Sequence, residues 1–166
     1  QRRHDGRRPG LHYATVSGTL GRMSAYLVSE SRVIAAAPQQ LFDIIADPAM
    51  HPVIDGSGTV QALRSQAPQR LSLGASFGMD MRLGAPYKIT NKVVEFEEGA
   101  RIGWRHFNGH IWRYTFEPVE GGTLVTEQWD ARTAHNKIGL RLMGFPQRNK
   151  RGIEETLRRL AERAEG

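Results

Sequence analysis

The chain has no cysteine among its 166 residues. Disulfides, thiolate nucleophiles and cysteine metal sites are therefore excluded, and a reducing, cytoplasmic setting fits. No apolar run approaches the roughly 20 residues that a membrane span needs, and no signal-peptide core follows the basic opening. No G-x-S-x-G nucleophile elbow is present to anchor a Ser–His–Asp triad. Acidic residues are the scarcer charge, 17 against 23 Lys and Arg, for a formal net charge of +6. Such a balance raises nucleic acid as a partner. The basic stretch has no interleaved aromatics and no reader motif, so nucleic acid is set aside. What is present is an ordinary globular composition, 39% hydrophobic and 24% charged. It suffices for one domain with a real core and room for a pocket.

The positive charge is concentrated in two places. "QRRHDGRRPG" opens the chain without periodicity, and patterned sequence begins at Met23 in "MSAYLVSE". The expectation is a disordered basic tail over residues 1–22 and a domain over 23–166. The second place is the stretch from Ala131 to Ile153, which carries Arg132, Lys137, Arg141, Arg148, Lys150 and Arg151 and no acid. It reads either as a solvated helix face or as a landing strip for an acidic partner: a carrier protein, a phosphorylated ligand or a membrane surface.

The pattern of elements is α+β. "YLVSESRVIA" alternates as a first strand would. In "APQQLFDIIADP", Pro38 suits a first helical turn, Leu41, Phe42, Ile44 and Ile45 form an apolar face, and Pro48 stops the helix. Six further strands are expected at Thr59–Arg64, Ser76–Leu83, Tyr87–Phe96, Arg101–Phe107, His110–Glu117 and Thr123–Asp130. Their short glycine-bearing joints ("EEGA", "FNGH", "VEGG") leave no room for crossovers, so the sheet is antiparallel. Asn136 is a plausible N-cap for "NKIGLRLM". Ile153, Leu157, Leu160, Ala161 and Ala164 make one stripe along a C-terminal helix. The result is a curved sheet of about seven strands around that helix, with short helices after the first strand.

"SRVIAAAPQQLFDIIADPAMHPVIDGSGTV", "WRYTFEPVEGGTLVTEQWD" and "NKRGIEETLRRLAE" resemble the START-like helix-grip superfamily (SRPBCC), in particular its polyketide cyclase/dehydrase and lipid-transport branch. The resemblance covers about residues 26–164. It implies a deep pocket between sheet and C-terminal helix, with the loop after the first helices at its mouth. Such a fold hosts carriers and enzymes alike, so chemistry has to be read from the site.

Alternation supplies the pocket's candidate lining independently. Phe77, Met79, Met81 and Leu83 share a face, as do Ile102, Trp104 and His106, and His110, Trp112, Tyr114 and Phe116. If Val125 points inward, so do Glu127 and Trp129. The expected ligand contacts are His51, Asp55, Met79, Met81, Trp104, His106, Trp112, Tyr114, Glu127 and Trp129, with His51 and Glu127 as candidate catalytic groups. Rings and thioethers with a few polar groups describe a site for a flat or greasy molecule. A buried carboxylate at Glu127 needs a partner, water or a raised pKa.

"MHPVIDGSG" puts His51 and Asp55 four positions apart. On the resemblance they stand at the pocket entrance, where Asp55 either orients an imidazole or caps the "DGSG" turn. His106 and His110 flank the "FNG" turn as rim histidines, and without a third ligand no metal or other cofactor is expected.

Three functions stay open. One is a carrier or sensor of a hydrophobic, polycyclic or lipid-like molecule. Another is an aromatase/cyclase performing acid–base aldol closure and dehydration on a substrate delivered by an acidic carrier protein. The third is a partner-regulating protein that acts through its basic face.

Overall fold

The computed structural model describes residues 20–166. Eight strands form one antiparallel sheet in the order β1-β2-β8-β7-β6-β5-β4-β3. They are β1 Leu20–Ser24, β2 Leu27–Ile34, β3 Val60–Leu63, β4 Ser76–Leu83, β5 Ala85–Glu97, β6 Arg101–Arg105, β7 Ile111–Val119 and β8 Gly122–Asp130. Helix α1 (Pro38–Ala46), a 3-10 turn (Pro48–Met50) and α2 (His51–Ile54) follow β2. Helices α3 (Lys137–Leu142) and α4 (Phe145–Glu165) end the chain.

Seven of these strands are those the sequence predicts. The eighth, β1, pairs with the outer edge of β2, with Leu20 opposite Ser31 and Ser24 opposite Leu27. It crosses the expected boundary between tail and domain, because residues 20–22 belong to the sheet. The rest of the expected tail, residues 1–19, lies outside the described residues.

Local chemistry sets the helix ends. Pro38 occupies the first turn of α1, and the Asp47 side chain accepts a hydrogen bond from the Ala49 N–H (2.9 Å), starting the 3-10 turn as α1 stops. Asn136 caps α3 by accepting from the Gly139 N–H at 3.1 Å. Ile153, Leu157, Leu160 and Ala161 are buried against the sheet, which makes α4 the gripped helix.

Close packing fills one end of the grip. Phe42 meets Phe96 and Phe116 edge-on at 5.4 and 5.7 Å, over fully buried Ile34, Val125 and Leu160. Such packing fixes α1 and the C-terminal half of α4 on the sheet. The other end is hollow, held open by a clamp. Gly56 N–H donates to Thr156 Oγ1 (2.9 Å), and Arg159 donates to the Asp55 carbonyl (2.6 Å). A Cβ at Gly56 would collide with the Gly152 carbonyl and the Thr156 amide, so only glycine lets the loop lie this close to α4.

Candidate functional site: a cavity crossed by a row of tryptophans

Between the sheet and the N-terminal half of α4 lies a cavity of about 680 Å³. The ten expected ligand contacts, His51, Asp55, Met79, Met81, Trp104, His106, Trp112, Tyr114, Glu127 and Trp129, all line it.

Strand register explains their arrangement. Trp104 pairs with Trp112, and Trp112 with Trp129, so all three tryptophans of the chain lie side by side across β6, β7 and β8. Directly paired residues share a face of an antiparallel sheet, so the three indoles form one apolar wall. Polar residues flank it on both sides. Toward the β6–β7 turn stand His106 and His110, with Asn91 of β5 one step before the Lys92–Arg105 pair. Two residues the other way come Tyr114 and its register partner Glu127.

Glu127 is 3% exposed, and its Oε2 has no hydrogen-bond partner among the described residues. Burial raises its pKa to about 8, only partly opposed by a hydrogen bond with Tyr114. The same burial, with the Glu127 charge beside it, holds the Tyr114 hydroxyl well above its ordinary range. At neutral pH the pair is a neutral, proton-bearing unit set in an apolar wall.

His51 is not at the entrance. It is 8% exposed and forms part of the inner wall, stacked on Trp104 at 4.9 Å and edge-on to Phe77 at 5.4 Å. The preceding 3-10 turn carries it inward, where Nε2 lies 2.8 Å from the Ile45 carbonyl. A carbonyl only accepts, so Nε2 keeps the proton and Nδ1 is the acceptor. Burial lowers the ring's pKa and keeps it neutral. Asp55 caps the turn, accepting from Ser57 N–H (3.1 Å), Ser57 Oγ (2.7 Å) and Val60 N–H (3.1 Å). The pair in "MHPVID" is therefore no dyad: each side chain has its own separate partners.

His106 and His110 stack at 4.3 Å. Burial depresses their pKa values to about 4 and about 3, so both rings are neutral. His106 Nδ1 accepts from the Asn108 N–H at 3.3 Å, in keeping with a rim position. His110 lies deeper, 8% exposed, with its Nδ1 unpartnered among the described residues. No group of three or more His, Cys, Asp or Glu among those residues could hold a metal ion.

Two functional candidates, Glu30 and Asn91, escape the reading of the sequence. Glu30, 1% exposed, is the register partner of Glu127. Its Oε1 lies 3.3 Å from Lys150 Nζ, so one member of the basic strip is drawn back into the protein. Asn91 is 4% exposed and lines the cavity with its Oδ1 unpartnered among the described residues. Two members of the expected basic strip, Arg148 and Arg151 of α4, line its mouth. Asn91 does carry a signal, a polar residue in the buried phase of an alternating strand between Ile89 and Val93; Glu30 lies instead in a run of consecutive buried residues, Val28–Ser31, where no alternation marks it.

An antiparallel sheet gripping a C-terminal helix over a hollow defines a helix-grip, START-like protein. Residues 26–165 match the polyketide cyclase / dehydrase and lipid transport family, and the chain belongs to it. The chain is 40% identical over 141 residues to uncharacterized protein Rv0088 of Mycobacterium tuberculosis, an alignment covering 81% of this chain and 62% of that protein. The chain thus spans about three fifths of the curated relatives it matches. A crystal structure from Rhodobacter sphaeroides superposes with a TM-score of 0.66 at 20% identity, covering 87% of this chain and 95% of that one. The Polyketide_cyc-like protein Cgl2372 of Corynebacterium glutamicum superposes with a TM-score of 0.55 at 23% identity, covering 84% and 91%. These two structures share the fold.

Proposed function

We propose that the chain binds a small, flat, largely apolar molecule in this cavity, as a carrier or sensor working in the cytoplasm. The observation that carries this is the three-tryptophan row with polar groups beyond both of its edges. His110, immediately before β7, and Tyr114 on it are four residues apart, which at the usual rise spans about 13 Å. A ligand of two or more fused or conjugated rings covers the indoles and reaches Asn91 and His110 at one end and Glu127 at the other. The cavity is roomy enough for such a molecule.

Tryptophan fluorescence tests the proposal, because every tryptophan of the chain is in the wall. Resveratrol, a conjugated molecule with hydroxyls at both ends, is expected to quench it saturably. Unsubstituted trans-stilbene should bind more weakly and palmitate least. Equal binding of all three would contradict a wall built for rings; binding of none would end the ligand reading. Native mass spectrometry of the purified chain should show a co-purifying small molecule.

A second reading, an aromatase/cyclase, is favoured by one observation: Glu127 is buried in the cavity wall beside the Tyr114 hydroxyl, and that burial raises its pKa to about 8. A carboxylate there removes the α-proton of a bound carbonyl compound. The resulting enolate attacks a second carbonyl of the chain, and the same group, now protonated, gives its proton to the alkoxide so formed. The regenerated carboxylate then takes the second α-proton and returns it to the departing hydroxide, which leaves as water, so the proton balance closes over one turnover. The substrate would come from an acidic carrier protein docked on the basic strip. In that case Glu127→Gln abolishes turnover while binding persists; unchanged turnover removes Glu127 from the chemistry.

A further inference from the structure

The described residues expose unusually bulky apolar side chains at one end of the cavity. Phe107 is 68% exposed, Ile138 63%, Leu142 82% and Met143 65%. These side chains belong to one locality. The segment leading into α3 is tied to the β6–β7 turn, with His135 N–H donating to the Asn108 carbonyl (2.8 Å) and Thr133 Oγ1 to the Gly109 carbonyl (2.8 Å). Phe107, Leu140 and Phe145 line the cavity, so this is its mouth. Helix α3 has no fully buried residue: Leu140 packs partly against the core, and Ile138 and Leu142 face outward.

Cations ring the same place. Arg132 is paired with Asp130, and Lys150 with Glu30 and Glu154. Lys137, Arg141, Arg148 and Arg151 have no carboxylate partner among the described residues, and no acid occurs between Ala131 and Ile153.

We propose that this end of the protein docks, mouth first, on an anionic lipid surface. Ile138, Leu142, Met143 and Phe107 enter the boundary between headgroups and acyl chains. Lys137, Arg141, Arg148 and Arg151 meet the phosphates. Only this occupant uses both features. An acidic protein would satisfy the cations but leave protruding apolar tips on a convex helix, where recessed pockets normally make an interface core. A second copy related by a two-fold axis would bring the cations against themselves. On a bilayer the mouth opens into the apolar phase, and a greasy ligand enters the cavity without crossing water. The docking surface and the ligand are separable, because Arg141, Leu142 and Met143 do not line the cavity.

Co-sedimentation of the full chain with vesicles tests this. Vesicles of phosphatidylglycerol in phosphatidylcholine are expected to bind the protein, and pure phosphatidylcholine vesicles to bind it at least about tenfold more weakly. Added salt should weaken binding. Leu142→Asp combined with Met143→Asp should lower partitioning about tenfold or more, and Arg141→Glu severalfold. Both variants should keep the wild-type thermal melt and resveratrol quenching in solution. The proposal is overturned by no binding to the anionic vesicles, by equal binding to both vesicle types, or by equal binding of the aspartate variant. It is also overturned if vesicles fail to bind while these variants abolish capture of a purified acyl carrier protein, or abolish a dimer seen by sedimentation velocity.

Discussion

Glu30 and Glu127 sit opposite each other on β2 and β8, both turned into the interior and both almost fully buried. The two carboxyls are treated differently. Glu30 has a lysine, Lys150, whose ammonium is 3.3 Å away; Glu127 has a phenol and the cavity. One carboxyl is neutralised by an ion pair reaching in from the surface, the other by keeping its proton.

Stability should therefore depend on pH through Glu127. Its folded pKa, about 8, lies above the 4.5 of an ordinary glutamate, so the folded state retains a proton that the unfolded chain releases. That contribution is complete below about pH 4.5 and is lost as pH rises to about 8, by about 1.4 kcal/mol for each pH unit crossed. Glu127→Gln is expected to change the thermal midpoint little at pH 5 and to raise it by several degrees at about pH 8.5, above the folded pKa. Melting curves of both proteins across that range check this; a difference that does not vary with pH would show that Glu127 is ionised in the fold.

Removing Lys150 should expose the other half of the arrangement. Lys150→Met leaves Glu30 buried without its cation, a loss of about 1 kcal/mol once the solvent screening of the part-exposed ammonium is allowed for. Glu30→Gln in the same protein should recover most of it, a coupling that a double-mutant cycle in urea measures directly. Additive losses would show that the pair contributes nothing as a pair.

Glu30 also marks where the sequence stops being legible. Alternation on β4, β6, β7 and β8 is enough to predict most of the ten-residue lining, because a half-buried strand has only two faces. Asn91 obeys the same alternation, while Glu30 sits in an unbroken buried run, Val28–Ser31, and in either case a polar residue in a strand does not reveal whether it faces a cavity or a packed core. Strand β1 has little pattern of its own: "LGRMS" becomes a strand because β2 offers a free edge, a tertiary fact. Strand β5 begins at Ala85, two residues before the expected Tyr87, because Gly84 at φ 72° turns the hairpin and Pro86 is accommodated beside it. His51 turns inward, away from the entrance its loop suggests, since the 3-10 turn that rotates it follows from Asp47 capping Ala49.

The histidines should act on the acid side. Burial lowers the pKa values of His51, His106 and His110, so on acidification the unfolded chain takes up protons that the fold refuses. That part of stability is present above about pH 6.5 and falls away as pH drops toward about 4. His110→Phe should flatten the loss between about pH 6 and 4 in chemical denaturation. Since His110 also lines the cavity, the same variant should weaken resveratrol quenching without affecting stilbene.

The clamp that holds the cavity open gives the most local prediction. Gly56 presses on α4 where Gly152 and Thr156 leave space, and its N–H donates to Thr156 Oγ1. Gly56→Ala must push the loop or the helix outward, a loss of about 2 kcal/mol or more from overpacking. Thr156→Val keeps the volume but removes the acceptor, a loss of about 1 kcal/mol. Because the loop forms one side of the cavity and α4 the other, Gly56→Ala should also weaken resveratrol binding, whereas a loss of stability with unchanged affinity would place the clamp outside the mechanism that shapes the site.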